Sequence, residues 1–368
     1  MKKLSTESAK LIVRPTRAVY DDKTIPISLE IPDYGKVKRV PIKFFGSQEN
    51  LLTGSLYTAE DTNPNCPCVI YLHDSSSNQF EGQYLVSLFI PIGINVFCFD
   101  FAGSGNSNGE YISLGYYEHY DALQAITFCK DFGASCIALW GRSMGAATAL
   151  MCLDSDICAV VADTPYSSLQ GLYSSIAQLR KIPTKSLSKA ISSIEQAVFS
   201  MAHFKMTDVI PINSCSNSKV PVFLLHSTDD AYIPVQHSID IFHALPKDKR
   251  QLFFVSGPHE APRPDDITLS ATEFIAACCG IEISFEKKSS PNDSIIPYIS
   301  DESDQKEQMD DVSSSSPPEK RRRKDSESTD DCDADYVISM PPSPIGKSDN
   351  QSLLAAPVVN SPVSNAIN

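Results

Sequence analysis

The chain has 368 residues, of which 42% are hydrophobic and 21% charged, so a sizeable core is within its means. A formal net charge of −14 argues against a general nucleic-acid binder, because a strongly acidic surface repels phosphate. No apolar run reaches the roughly 18–20 residues needed to span a bilayer, so no transmembrane segment is expected.

The opening residues Met1–Glu7 are followed by no apolar stretch of the kind that marks a secretory signal. Val37–Phe45 and Leu51–Tyr57 are then two strand candidates separated by the polar turn Ser47–Asn50, which predicts an antiparallel hairpin. Short runs follow at Val69–His73, Asn95–Asp100, Cys136–Trp140, Ala159–Asp163, Pro221–His226 and Leu252–Val255. They are rich in Val, Ile and Phe and end in small or polar residues, as buried parallel strands do. Helical candidates lie between and after them, notably Tyr116–Phe132, Met144–Leu153 and Ile267–Cys279. The alternation implies a doubly wound α/β sheet with the hairpin leading into it. The interval 166–205 is helical but irregular and interrupts the alternation, which predicts a small cap over the carboxyl edge of the sheet. The domain so defined covers residues 1–285.

From Glu286 onward the composition shifts to Ser, Pro, Asp and Glu with few aromatics. Such a segment cannot bury enough apolar surface to offset its ordering entropy, so 286–368 is expected to be a disordered acidic tail. It carries 9 Lys and Arg against 16 Asp and Glu, a net of −7, half of the formal charge of the chain. Inside it, Lys320, Arg321, Arg322, Arg323 and Lys324 form a compact basic run, read either as a nuclear-import signal or as a solvated cluster paired with its acidic neighbours. Ser290, Ser316, Ser343 and Ser361 precede proline, and Ser326, Ser328 and Thr329 precede acidic residues. Protein kinases and an import receptor are the candidate partners of this tail, and the expected location is the cytoplasm or the nucleus.

The eleven cysteines are scattered, with Cys68, Cys98, Cys136, Cys158, Cys278 and Cys279 in apolar segments. That pattern suits buried thiols in a reducing compartment better than a disulfide framework. Cys66-Pro67-Cys68 is too tight for an ordinary zinc pair, and no second pair stands at ligand spacing, so neither a metal nor a cofactor is expected.

The chemistry-bearing feature is Gly141-Arg142-Ser143-Met144-Gly145, set between an apolar run and the helix-favouring Ala146–Met151. A serine on a tight strand-to-helix turn has its Oγ clear of the sheet, and the helix N-terminus faces the place where negative charge develops. Ser143 is therefore the candidate nucleophile, packing at a strand–helix junction being the structural alternative. Functional residues gather at the carboxyl ends of parallel strands. In order these ends hold His73-Asp74-Ser75, Asp100, Ser143, Asp163, Asp229-Asp230 and His259, which contains the Ser…Asp…His order of a hydrolytic triad. His259, just past the last strand in a Gly-Pro turn, is the candidate base, with a surface-loop histidine as the alternative. Asp230 is preferred to Asp229 as the acid that orients it; Asp229 is then a solvated or capping carboxylate. The backbone N–H groups of Met144 and Ser75 are the expected oxyanion donors. Asp74 stands where a glycine is usual after the histidine, and a carboxylate there opposes negative charge on the oxyanion.

With these residues in place the chain resembles the α/β-hydrolase superfamily, in particular its serine-aminopeptidase-like branch common in protists and plants. The resemblance runs through most of residues 11–280. Arg14-Pro15-Thr16-Arg17 is similar to that group's Arg-Pro-x-Arg signature, Asp100–Ser107 to its Asp-x-x-Gly-x-Gly-x-Ser turn, and Leu139–Ala147 to its nucleophile block. Its His-Gly-x-x-Asp-x-x-Ile-Pro pattern, laid on His226–Pro234, selects Asp230, with Ser227 in place of glycine. Its Gly-x-His-Asn-x-x-Arg-Pro pattern, laid on Gly257–Pro264, selects His259, with Glu260 in place of asparagine. The resemblance implies an α/β-hydrolase fold and a cofactor-free, intracellular serine hydrolase that cleaves a small acyl ester, thioester or amide through an acyl-enzyme. The absence of a long lid and the apolar 166–205 interval suit a modest acyl chain. Asp74 and Glu260 favour the rival reading, a catalytically weak or inactive scaffold that acts as a binding or regulatory protein through its tail.

Overall fold

The computed structural model describes residues 2–59, 65–179, 184–283 and 295–298. An N-terminal helix α1 (Lys2–Val13) precedes three strands, β1 (Ser28–Ile31), β2 (Gly35–Phe45) and β3 (Leu51–Ala59), joined as antiparallel hairpins. β2 and β3 are in register from Val37 opposite Ala59 to Phe45 opposite Leu51, the hairpin that the polar turn predicts.

The alternating part follows as β4 (Cys68–Leu72), α2 (Leu85–Phe89), β5 (Asn95–Phe99), α3 (Tyr116–Asp131), β6 (Ile137–Arg142), α4 (Met144–Met151) and β7 (Ala159–Asp163). Two helices, α5 (Leu169–Leu179) and α6 (Thr184–Ala202), fill the interval expected to be a cap. The chain then returns through β8 (Val222–Ser227), α7 (Gln236–Ala244), β9 (Arg250–Val255) and α8 (Asp265–Cys278). The sheet order is β1-β2-β3-β5-β4-β6-β7-β8-β9, parallel from β5 to β9. β3 joins this block antiparallel to β5, and β4 is threaded between β5 and β6.

Every residue of β4, β5 and β7 is buried, as expected for strands covered on both faces. Successive side chains point to opposite faces, and the core divides accordingly. Ile70, Leu72, Phe97, Phe99, Leu139 and Leu224 belong to one cluster with residues of α3 and α4. Val69, Tyr71, Val96, Trp140, Val161 and Phe223 belong to the other, with Leu85 and Phe89 of α2 and Ile267 and Ile275 of α8. Each such side chain contributes about 1.5–3 kcal/mol by burial.

The predicted strands and long helices stand within a few residues of their expected bounds. Among the elements the sequence did not announce, α1 buries Ala9, Ile12 and Val13, a one-sided helical spacing, and packs against α6. One difference falls in the tail. Residues within the segment expected to be disordered form a short strand, β10 (Ile295–Pro297), antiparallel to β9, and Tyr298 beside it stacks edge-on against Phe242 and Phe254. A mainly polar composition hides three or four apolar residues that need only an open sheet edge. The basic run 320–324 and the candidate phosphorylation sites lie outside the described residues. No helix among the described residues is long and apolar enough to cross a membrane.

Candidate active site

Ser143 lies between β6 and α4 with φ 53° and ψ −115°, outside the regions that ordinary L-residues occupy. Its N–H donates to the Asp163 carbonyl (2.9 Å), and its own carbonyl accepts from Ala147 N–H at the start of α4 (3.0 Å). Strand and helix therefore hold the strained residue from both sides. The flanking glycines are sterically required: a Cβ on Gly141 would meet the Gly145 carbonyl, and one on Gly145 would meet the Leu72 carbonyl of β4.

Asp230 and His259 reach each other from the loops after β8 and β9. His259 Nδ1–H donates to Asp230 Oδ2 at 2.5 Å, with both side chains buried. The other Asp230 oxygen accepts from Tyr232 N–H (2.7 Å) and Ile233 N–H (2.8 Å), so the carboxylate is fixed in place. Burial alone would push the Asp230 carboxyl up, but the His259 hydrogen bond and charge hold it below the usual range. Burial likewise works against a charged imidazole, yet Asp230 and then Asp74 raise His259 above its ordinary value. Asp229 plays a different part, its Oδ2 accepting from Gly257 N–H (2.7 Å). The Ser227 hydroxyl, at the position where the motif has glycine, donates to the Gly257 carbonyl. These two contacts tie the acid loop to the base loop.

Asp74 occupies the first loop, after β4, and is buried with Ser75. Its backbone is not left-handed, so no glycine-like conformation is imposed there. Its carboxylate, disfavoured by burial, is held below the usual range by the charge of His259, the Ser75 N–H and the Ser143 hydroxyl. Ser76 adds a hydroxyl donor at 3.0 Å. The Ser75 hydroxyl also donates to this carboxylate (3.3 Å), so the loop of one expected oxyanion donor carries a negative charge. Asp74 N–H in turn donates to Glu81 Oε2 (2.7 Å), and burial together with the nearby Asp74 charge pushes Glu81 up to about 7. Met144, the other expected donor, opens α4 directly after Ser143.

Three residues with no assigned role in the sequence support the base. Arg142 donates to the carbonyls of His259 (2.6 Å) and Ala261 (2.9 Å). Arg263 makes a two-oxygen contact with Asp163 (3.0 and 2.9 Å) and reaches Thr164 Oγ1 (3.0 Å). Asp163 stays ionised against burial because Arg263 and then Arg142 stabilise its charge. Both arginines sit inside motifs, one as the variable residue of Gly-x-Ser-x-Gly and one in Arg-Pro, where spacing shows their presence but not their targets. Glu260 lines a cavity of about 660 Å³ with Glu81, Tyr84, Arg142 and Arg263.

Other polar residues at strand ends are structural. Asp100 accepts from Gln79 N–H (2.7 Å), Asn106 N–H (2.8 Å) and Tyr20 OH (2.5 Å). Arg17 of the N-terminal signature grips the same turn through the carbonyls of Ser104, Ser107, Gly105 and Gly109. His73 Nδ1–H donates to the Asp74 carbonyl (2.6 Å) while Nε2 accepts from Phe101 N–H (3.1 Å). His226 Nε2–H donates to the Ile233 carbonyl (2.8 Å), and burial lowers it to about 4. Both imidazoles are neutral struts.

No family model matches the chain. Among curated proteins it is similar to the uncharacterized protein YqkD of Bacillus subtilis, 27% identical over 213 residues, covering 55% of this chain and 67% of YqkD. It is also similar to the uncharacterized protein YfhR of Salmonella typhi, 27% identical over 196 residues, covering 52% of this chain and 63% of YfhR. The matched segment thus spans about two thirds of the length of these relatives. Among solved structures, the Pyrococcus furiosus esterase Pf2001 superposes with a TM-score of 0.53 at 20% identity, over 73% of this chain and 98% of that one. Mouse alpha/beta hydrolase domain-containing protein 10 gives 0.51 at 16% identity, over 66% and 99%. The alpha/beta hydrolase GrgF from Penicillium gives 0.50 at 15% identity, over 66% and 99%. The chain has the α/β-hydrolase fold. In that fold the strained turn after β6 and the loops after β4, β8 and β9 all open at the carboxyl edge of the parallel strands, where ligands bind. The serine-aminopeptidase-like branch is a finer assignment than these similarities reach.

Proposed function

We propose that this α/β-hydrolase-fold protein is a serine hydrolase acting on a small acyl ester or thioester, with amides as a further class. The observations that support the reading are a strained, buried serine on an elbow and a carboxylate-oriented histidine, each of which faces Asp74. Ser143 Oγ attacks the acyl carbonyl carbon while His259 takes the hydroxyl proton, and Asp230 stabilises the imidazolium through Nδ1–H. His259 then protonates the leaving oxygen or sulfur, and the acyl group stays on Ser143. Water, deprotonated by His259, attacks this acyl-enzyme and releases the acid, with no cofactor in the cycle. Met144 and Ser75 N–H groups stabilise the oxyanion once the Asp74 carboxylate has turned away from Ser75.

That last condition favours a second reading, in which Asp74 keeps the site slow or silent and the protein acts as a scaffold through its tail. A fluorophosphonate probe separates the two. Labelling of the wild-type protein that is lost in Ser143→Ala supports the enzyme, and loss of the nucleophile then costs on the order of 10⁶-fold in rate. A folded wild-type protein that takes up neither this probe nor a smaller organophosphate supports the scaffold.

A further inference from the structure

At the opposite edge of the sheet from Ser143, three cysteines converge from three elements. Cys136 immediately precedes β6, Cys158 immediately precedes β7, and Cys279 caps the C-terminus of α8. Their sulfur atoms all lie within 4.8 Å of one another, and the Cys158 and Cys279 sulfurs are 3.6 Å apart. Each side chain is half-buried, sheltered by the sheet and the helix but open to an arriving ion. Among the described residues this is the one group of three metal-capable side chains with such convergence.

We propose that Cys136, Cys158 and Cys279 form a three-thiolate site for one soft metal ion, Zn²⁺ or Cu⁺. Metal–sulfur bonds of about 2.3 Å place the sulfurs of a tetrahedral or trigonal site roughly 3.8–4 Å apart, which this trio approaches without backbone movement. Thiolates are the donors that select these two ions over harder ones. An ion bound here releases the thiol protons and ties the starts of two central strands to the end of the helix that follows the His259 loop, which makes it a staple of the fold. Sequence spacing conceals the site, since Cys158 and Cys279 are 121 positions apart and no local pair announces them.

The test uses the full chain, reduced and metal-free, titrated separately with Co²⁺ as a spectroscopic stand-in for Zn²⁺ and with Cu⁺. The expected result is one equivalent bound with a thiolate-to-metal charge-transfer band for at least one ion, and a melting temperature raised by that ion. Cys158→Ser should lose both the band and the thermal shift, and Cys279→Ser at the helix end gives the same readout should the first variant not fold. Cys332→Ser, outside the described residues, should retain both. Absence of a thiolate band with either ion in folded wild-type protein overturns the site. A band that survives in a folded Cys158→Ser or Cys279→Ser variant does so too, as does thiol counting that finds two of the three joined as a disulfide under reductant.

Discussion

The Asp74 carboxylate faces both the Ser143 hydroxyl and the charge of His259. A hydrolytic serine ordinarily directs its proton to the histidine, and here a second carboxylate competes for it. The same carboxylate accepts from the Ser75 hydroxyl (3.3 Å) and from Ser76 N–H (3.3 Å) and Oγ (3.0 Å), which puts a negative charge on the loop that would supply an oxyanion donor. Because Asp74 is held ionised, protonation does not clear it at neutral pH; rotation by an incoming acyl group must.

Removing the carboxylate should therefore accelerate hydrolysis. One oxyanion-hole donor is typically worth 10²–10³-fold in kcat, so removing the carboxylate that opposes the oxyanion beside Ser75 in Asp74→Gly is expected to raise kcat on a short acyl ester by on the order of 100-fold. Asp74→Asn, which keeps the side chain but removes its charge, should give a smaller gain. Steady-state kinetics on both variants checks this, and a fall in kcat in both would mean that Asp74 assists the reaction.

The pH profile follows from the charges around His259. As base, His259 works neutral, and its ionisation lies above 6.5 because Asp230 and Asp74 favour the imidazolium over the opposing effect of burial. The acidic limb of kcat/KM should thus have its midpoint above 6.5 in the wild-type protein and move to lower pH in Asp74→Asn. The stability contribution has the matching sign: a raised folded value stabilises fully below the unfolded value and is lost as pH rises through the folded one. His259→Gln should consequently cost more stability near pH 6 than near pH 9, measured by urea unfolding.

Glu81 gives a prediction of opposite origin. Burial and the Asp74 charge raise it from 4.5 to about 7, so the folded state holds a proton that the unfolded chain releases. Between those values stability contributed by this group falls as pH rises. Glu81→Gln, which can still accept the Asp74 N–H, should flatten that decline. Unfolding free energies of the two proteins across the window give the comparison, and parallel curves would place the titration elsewhere.

The parallel strands and their turn residues were legible because buried β-sheet sequence is both apolar and short, and because Gly141 and Gly145 answer to backbone collisions that no other residue tolerates. Asp230 and His259 were legible through their positions after strands. What the sequence hid were contacts between loops. Nothing local in Ser227 or Asp229 shows that both bind Gly257, and the Asp74 side chain could have faced solvent. Arg142 and Arg263 read as variable and motif residues, whereas the fold turns both onto the His259 loop. The helix α1 and the strand β10 depend on surfaces, α6 and the β9 edge, that exist only after folding.

Arg263 and Asp163 supply the last prediction. The pair is buried, with side chains 6% and 4% exposed, and the guanidinium also touches Thr164, whose φ of 58° is unfavourable for a β-branched residue. Arg263→Met leaves the Asp163 carboxylate in a low-dielectric site with only Arg142 as counter-charge, a loss expected to cost about 3 kcal/mol. It also frees Arg142 to turn from the His259 carbonyl toward Asp163, which should lower kcat by misplacing the base. Asp163→Asn combined with Arg263→Met removes the stranded charge and should recover most of the stability, because a buried ion pair replaced whole is close to neutral. Activity should stay low in the double variant, since the Arg263 guanidinium, which also donates to the His259 carbonyl (3.4 Å), is still absent. A double-mutant cycle on unfolding free energies, run beside kcat, separates the two effects; additive stability losses would show that the pair is not coupled.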